Sequence, residues 1–390
     1  MTSRVVVLGA GAAGLSAANR LAARAAGAAD LDIVLVDRSR EHVFLPGYVP
    51  MMLDGAPAES FRRPLPDLLR QGVRQVNGEV TRLDPDASSV HGTFGTLEYD
   101  HLVVALGVDV GWPQGGGPGE LAPWTLDGAL AGRKALTGLG EGDRVVVGPS
   151  GVSYRCPPAV FDLAVRIRAA TGARVDIVHP WPKPLAPFGE GPAGQFAAML
   201  DGAGVGFHGE FHLAGAEGGT VRSADGRELP YDAAILVPPH QVPSVVARSP
   251  LVGENGWPQV TFPALRHPRY PAVSVIGDLA APALKVGMAG TLAAFEAAHV
   301  ADRIAAELLS GDSGDSGDPA AASREPVMSA ICFVDPGDTG SFLHCDFTSP
   351  ASGRGPADCT LMPWLPYFRH AKRLFAREWF ESMVSGAVGG

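Results

Sequence analysis

The chain has 390 residues, more than one hydrophobic core of ~250–300 residues supports, so two or three domains are expected, and a 46% apolar content can fill them. A formal net charge of −10 leaves no basic surplus to neutralise phosphates, which excludes nucleic acid as the main partner. Four cysteines, with no C-x-x-C and no His/Cys cluster at zinc spacing, argue against a disulfide-stapled secreted scaffold and against a bound metal. Fifty glycines and 34 prolines spread along the chain read as many turns rather than disorder. No apolar run reaches about 18 residues, so no spanning helix is expected. A strand begins by residue 4, so no signal peptide is expected.

The first element is a buried-strand run, SRVVVL, followed by Gly9-x-Gly11-x-x-Gly14 and an Ala-rich helix. Such glycines allow a tight turn, close backbone approach to a pyrophosphate, and tight packing of helix on sheet. The next strand, LDIVLVD, ends in Asp37, placed for a ribose 2′-hydroxyl and favouring FAD or NAD over NADP. Val80 is counted with the expected cofactor contacts. YDHLVVALGVDV gives a strand running into Ala105 and Gly107, where the chain is expected to cross out of this domain. Far downstream, YPAVSVIGDLA ends in Gly277-Asp278 and leads to the Ala-rich helix GTLAAFEAAHVADRIAAELL. A second carboxylate and a second helix N-terminus suit a long cofactor, so FAD is expected.

Between these elements, RVVV runs into GPSGVSYRCPPAVFDLAVRI, residues 148–167. The stretch has the place of a second nucleotide turn but lacks G-x-G-x-x-G. The strand after it, ARVDIVHP, ends in His179-Pro180 rather than a ribose-binding acid. NADH binding is disfavoured on both counts. Pro157 and Pro158 suit the first helical positions, where a missing N–H costs nothing. Cys156 is then expected at the N-cap, where a helix N-terminus lowers a thiol pKa. His179, His208, His212 and His240 lie in this region and are read as satisfied core or surface groups.

The segment Tyr154-Arg-Cys156-Pro-Pro-Ala-x-x-Asp162 resembles the Cys-Pro-Pro-Ala segment of the sulfide:quinone oxidoreductases and of the related flavocytochrome c sulfide dehydrogenases. Asp162 takes the place of their helical acidic residue with a shorter side chain. Ala330-Ile-Cys332-Phe-Val-Asp-Pro-Gly337-Asp-Thr-Gly340 is similar to the family's C-terminal cysteine followed by a Gly-containing turn. Lys285 and Gly287 fit its Lys-x-Gly before the last FAD helix. The resemblance implies an α/β fold of two interleaved Rossmann-like dinucleotide-binding domains. It also implies that Cys156 and Cys332 form a redox pair beside the flavin: sulfide attacks their bridge, two electrons pass to FAD, and a membrane quinone takes them. The third cysteine that some relatives carry has no counterpart here, so FAD is expected to be non-covalent. Cys345 and Cys359 lie close enough in sequence that either could replace Cys332.

The expected layout is a first part of the FAD domain (1–110), the second Rossmann-like domain (111–245), the return of the FAD domain (246–310), a linker (311–325) and a C-terminal unit (326–390). GDSGDSGDPAAAS in the linker is polar and rich in Gly, Asp and Ser. In the last unit Trp364, Phe368, Ala371, Phe375, Trp379 and Met383 recur at three- and four-residue steps beside Arg369, Lys372, Arg373 and Arg377. That pattern suits a helix lying in a membrane interface, giving a peripheral membrane protein on the cytoplasmic side. The same stripe suits packing on the chain's own core or on a second subunit of a homo-oligomer. A type II NADH:quinone oxidoreductase and a flavoprotein subunit serving a partner cytochrome are the alternative readings.

Overall fold

The computed structural model describes residues 2–25, 31–112, 121–309 and 325–385; residues 311–324 of the expected linker lie outside them. Five parallel strands form the first sheet, in the order Val273–Val275, His101–Val104, Ser3–Leu8, Leu31–Asp37, Val73–Asn77. Val5, Val6, Val7 and Leu8 are fully buried, as strands covered on both faces must be. The helices Ala12–Arg24 and Gly290–Leu309 pack against each other. Their alanines permit the close approach, and Asp302 ties the pair by accepting from Arg20 and Arg24.

The second sheet has four parallel strands, in the order Gly206–His208, Arg174–Val178, Arg144–Pro149, Ala233–Val237. Each parallel sheet is interrupted in sequence by a three-stranded antiparallel excursion. In the first it is Val80–Asp84, Ser89–Gly92 and Gly95–Glu98; in the second, Leu213–Glu217, Thr220–Ser223 and Glu228–Pro230. The chain leaves the first sheet through Asp109–Val110 and returns through His240–Gln241, and these two short strands pair antiparallel. The fold is therefore α/β with two Rossmann-like sheets, the second inserted into the first.

A third, antiparallel sheet follows: Ser329–Val334, Ser341–Asp346 and Asp358–Leu361. The C-terminal helix, Pro366–Ser385, closes the chain. Its aromatic stripe does not form a free face. Trp379, Phe380 and Met383 are buried, Trp379 packs on Phe44 and Phe375, and Phe368 packs on Phe342. Trp379 Nε1–H donates to His42 Nε2 (3.0 Å), and Asn19 donates to the Met383 carbonyl (2.8 Å). The stripe expected to enter a membrane is spent on the protein's own core, because the first helix and the strand region around His42 leave an apolar face that it covers. No helix among the described residues is long and apolar enough to cross a membrane.

Candidate active site

Cys156 and Cys332 come from elements 176 positions apart, and their Sγ atoms lie 2.6 Å from each other. One short segment holds both. The Cys156 N–H donates to the Met288 carbonyl (2.9 Å), and Thr291 Oγ1 accepts from the Ile331 N–H (3.0 Å). Cys156 is in the left-handed region, with φ of 53°. It does not cap the helix as expected: the N-cap is Pro157, already helical at φ −49° and ψ −38°, and the helix runs Pro158–Thr171. Pro157 thus already has helical dihedrals, and the left-handed Cys156 before it is not the extended N-cap that the sequence suggested. The Ala159 N–H at the helix start donates to the Cys156 carbonyl (2.9 Å) and, as the smallest cause, helps lower the thiol.

The two thiols are unlike. A hydrogen bond from the Cys332 thiol holds Cys156 below the ordinary thiol value, with Lys372 helping against burial and Asp162. Cys332 is pushed well up by Cys156 and by its burial. Asp162 is buried and has two partners, the Asp335 N–H (2.9 Å) and Lys372 Nζ (3.1 Å). Arg369 in turn pairs with Asp335 (3.1 Å). The C-terminal helix thus delivers Lys372 beside the thiols, a role its place in the basic pattern did not suggest.

A small cavity of about 30 Å³ adjoins the thiols, lined by Cys156, Pro158, Cys332, Leu343, Cys345 and Phe347. That is room for about one or two water-sized species. Phe188 and Phe347 also line a larger groove of about 510 Å³, where Tyr154, Trp181, Lys285 and Ala357 meet. Gly287 borders both spaces, and a Cβ there would meet the Phe347 ring at 3.2 Å. Cys345 and Cys359 are disulfide-bonded to each other, so neither takes the place of Cys332.

Gly9, Asp37, Ala105 and Gly277, four of the residues expected at the cofactor, lie at the ends of the first sheet's strands. A Cβ on Gly14 would lie 1.8 Å from the Gly9 carbonyl oxygen, and one on Gly9 would lie 2.4 Å from that of Ala105. Gly277, at φ +74°, packs on Ala13. A Cβ on Gly11 would meet nothing within 4 Å, and no side chain caps the helix it opens. An open approach to uncapped N–H groups fits the pyrophosphate of a dinucleotide. The Asp37 carboxylate accepts from the Ala10 and Ser39 N–H groups. Gly107 turns the chain at φ +63°, whereas Val80 opens the antiparallel excursion opposite Gly92. Lys285 ends the short helix Ala281–Leu284 in the left-handed region.

Asp278 pairs with Arg155 at 2.9 Å, and burial raises its carboxyl above the ordinary range despite that cation. Arg155 also donates to the Val108 carbonyl (2.9 Å), so the residue before Cys156 ties the thiol turn to the cofactor-binding sheet. Glu296 accepts from the Gly277 N–H (2.6 Å) and is pushed up to about 8 by burial. Arg155 and Glu296 were not anticipated from sequence. The signal for Glu296 was an acid among alanines on the Ala-rich helix that also carries Asp302 and Glu307.

At the second turn, Gly148 packs against Val178, where a Cβ would lie 2.2 Å from the carbonyl oxygen. The Trp181 N–H donates to His179 Nδ1 (3.0 Å), and His179 Nε2 meets the Tyr154 hydroxyl at 3.0 Å. His208 meets Asp176 (2.9 Å), and His240 accepts from the Arg155 N–H (3.2 Å). These histidines have structural partners. Among the described residues no cluster could hold a metal ion.

The chain is 24% identical to the mitochondrial sulfide:quinone oxidoreductase of Mus musculus over 70% of its length and 65% of that protein's. It is 28% identical to the type II NADH:quinone oxidoreductase Ndh of Mycobacterium tuberculosis, covering 87% of this chain and 81% of that one. Its fold is similar to that of the sulfide:quinone oxidoreductase from Aquifex aeolicus, with a TM-score of 0.82 at 20% identity, over 100% of this chain and 93% of the other. Residues 3–305 match the pyridine nucleotide-disulphide oxidoreductase family, and the chain belongs to that family of FAD-binding oxidoreductases.

Proposed function

We propose that the protein oxidises sulfide to sulfur or polysulfide and passes the electrons to a membrane quinone, with Cys156, Cys332 and Asp162 at the reacting centre. The observation that carries the reading is the 2.6 Å approach of the two sulfurs beside a cavity of atomic size. A disulfide needs ~2.05 Å, so oxidation closes the bond with a shift of about 0.5 Å. Hydrosulfide attacks Cys332 Sγ of that disulfide: the Cys156–Cys332 bond breaks, a persulfide forms on Cys332, and Cys156 leaves as thiolate. The lowered pKa of Cys156 makes it the better leaving group. Lys372 faces the thiolate, and Asp162 holds Lys372 in place. FAD, held non-covalently by Gly9, Gly11, Gly14, Asp37 and the Gly277-Asp278 turn, supplies a two-electron acceptor and donor. Leu365, Tyr367 and Leu374 are exposed beside Arg373 and Arg377, and these residues, rather than the buried stripe, are the ones to meet a membrane surface.

A type II NADH:quinone oxidoreductase is the second reading, favoured by the mycobacterial relative. Against it, prolines 157 and 158 remove two N–H donors from the helix start where a second pyrophosphate would bind. Cysteine variants test the first reading. Cys156→Ser and Cys332→Ser should each lower sulfide-driven quinone reduction at least ~100-fold with FAD content unchanged. The double variant should lose no more than either single one, because the two thiols act as a unit. A serine variant that keeps the wild-type rate would sink the reading.

A further inference from the structure

We propose that Cys345–Cys359 is a second redox site, in thiol–disulfide exchange with Cys156–Cys332; this rests on the inner pair being redox-active. Register places the sulfurs together. Ala330, Cys345 and Cys359 form one cross-strand row of the C-terminal sheet, and Cys332, Leu343 and Leu361 form the next. Positions two apart on a strand share a face, so Cys332, Cys345 and Cys359 all lie on the same face of the sheet. Cys345 and Cys332 line the same small apolar cavity with Cys156. Diagonal neighbours have Cα atoms ~7–8 Å apart with Cβ atoms closer, at the edge of the ~7 Å that a direct bridge spans. A small displacement along the strands brings the two sulfurs into contact.

The two disulfide positions differ in access. Cys345 is 2% exposed, whereas Cys359 is half-buried and lies two residues from Ala357 on the wall of the larger groove. Cys156 and Cys332 are half-buried like Cys359, so Cys345 is the one enclosed sulfur of the four. The exchange balances within the chain. Cys332 gives its proton to the neighbouring Cys156 thiolate and attacks Cys345 Sγ, the Cys345–Cys359 bond breaks, and Cys359 leaves as thiolate. Cys156 then attacks Cys332 Sγ and expels Cys345. The inner pair ends as a disulfide and the outer pair as two thiols, two electrons and two protons having moved from one pair to the other. The reverse sequence carries them back.

Dithiothreitol as the reductant separates this proposal from the sulfide reading. Oxidised holoenzyme receives one equivalent, is alkylated with iodoacetamide at intervals, and its cysteines are mapped by mass spectrometry. The proposal expects label on Cys345 and Cys359 at least tenfold faster in the wild type than in Cys156→Ser/Cys332→Ser. Label confined to Cys156 and Cys332, or equal outer-pair rates in the two proteins, would overturn it. A Cys156→Ser/Cys359→Ser protein supplies a second measurement. It should form a Cys332–Cys345 disulfide under mild oxidant, and two persistently free thiols there would count against the exchange. Loss of sulfide activity moves none of these readouts.

Discussion

At the scale of single residues, partners decide chemistry more than residue type does. His179, read from sequence as a satisfied group, has the Trp181 N–H pointed at its Nδ1. A second proton on the ring would face that donor, and burial holds the pKa down to about 3. The unfolded chain takes up that proton near pH 6.5, so the contribution of this group is intact above 6.5 and lost as pH falls towards 3. Urea midpoints should drop between pH 6.5 and 5 by an amount worth about 2 kcal/mol from this residue, and His179→Gln should flatten that slope. An unchanged slope would remove His179 as its cause. The Cys156 turn was legible because a thiol before two prolines is unusual chemistry in an unusual place. The Cys345–Cys359 pairing was not, since cysteine spacing does not reveal which strands end up adjacent.

Elements show where periodicity stops being informative. The aromatic stripe of the C-terminal helix correctly marked one face as buried, but a 3.6-residue repeat does not say whether core or lipid covers it. Trp379→Ala should destabilise the fold by about 3–5 kcal/mol, read as a shift in thermal midpoint. A Leu365→Asp/Tyr367→Asp/Leu374→Asp variant should leave that midpoint in place and release the protein from anionic liposomes. Tight sedimentation of this variant with vesicles would exclude these residues as the contact. The first glycine turn divides in the same way. Gly14→Ala puts a Cβ against the Gly9 carbonyl and should impair folding itself. Gly11→Ala meets no protein atom within 4 Å, so it should fold normally yet bind FAD at least ~10-fold more weakly. Equal FAD affinity in Gly11→Ala would argue against a pyrophosphate at that turn.

For the whole molecule, the strand–Gly–helix signals gave both parallel sheets, and their interleaving followed from the distant Gly277-Asp278 strand. The crossing at Asp109–Val110 and His240–Gln241 carried no such signal, because two-residue strands have no periodicity to read. Insertion of the second sheet brings Arg155 onto Asp278, and the C-terminal sheet then brings Cys332 to Cys156. In the proposed reaction, the second Rossmann-like domain contributes a thiol in place of a second nucleotide. The central claim is thus a choice of electron donor, and anaerobic stopped-flow absorbance of the FAD-loaded protein tests it most directly. Sulfide should bleach the flavin band within the mixing experiment, while NADH at the same concentration should leave it at least ~100-fold slower. Rapid bleaching by NADH, with sulfide inert, would contradict the account.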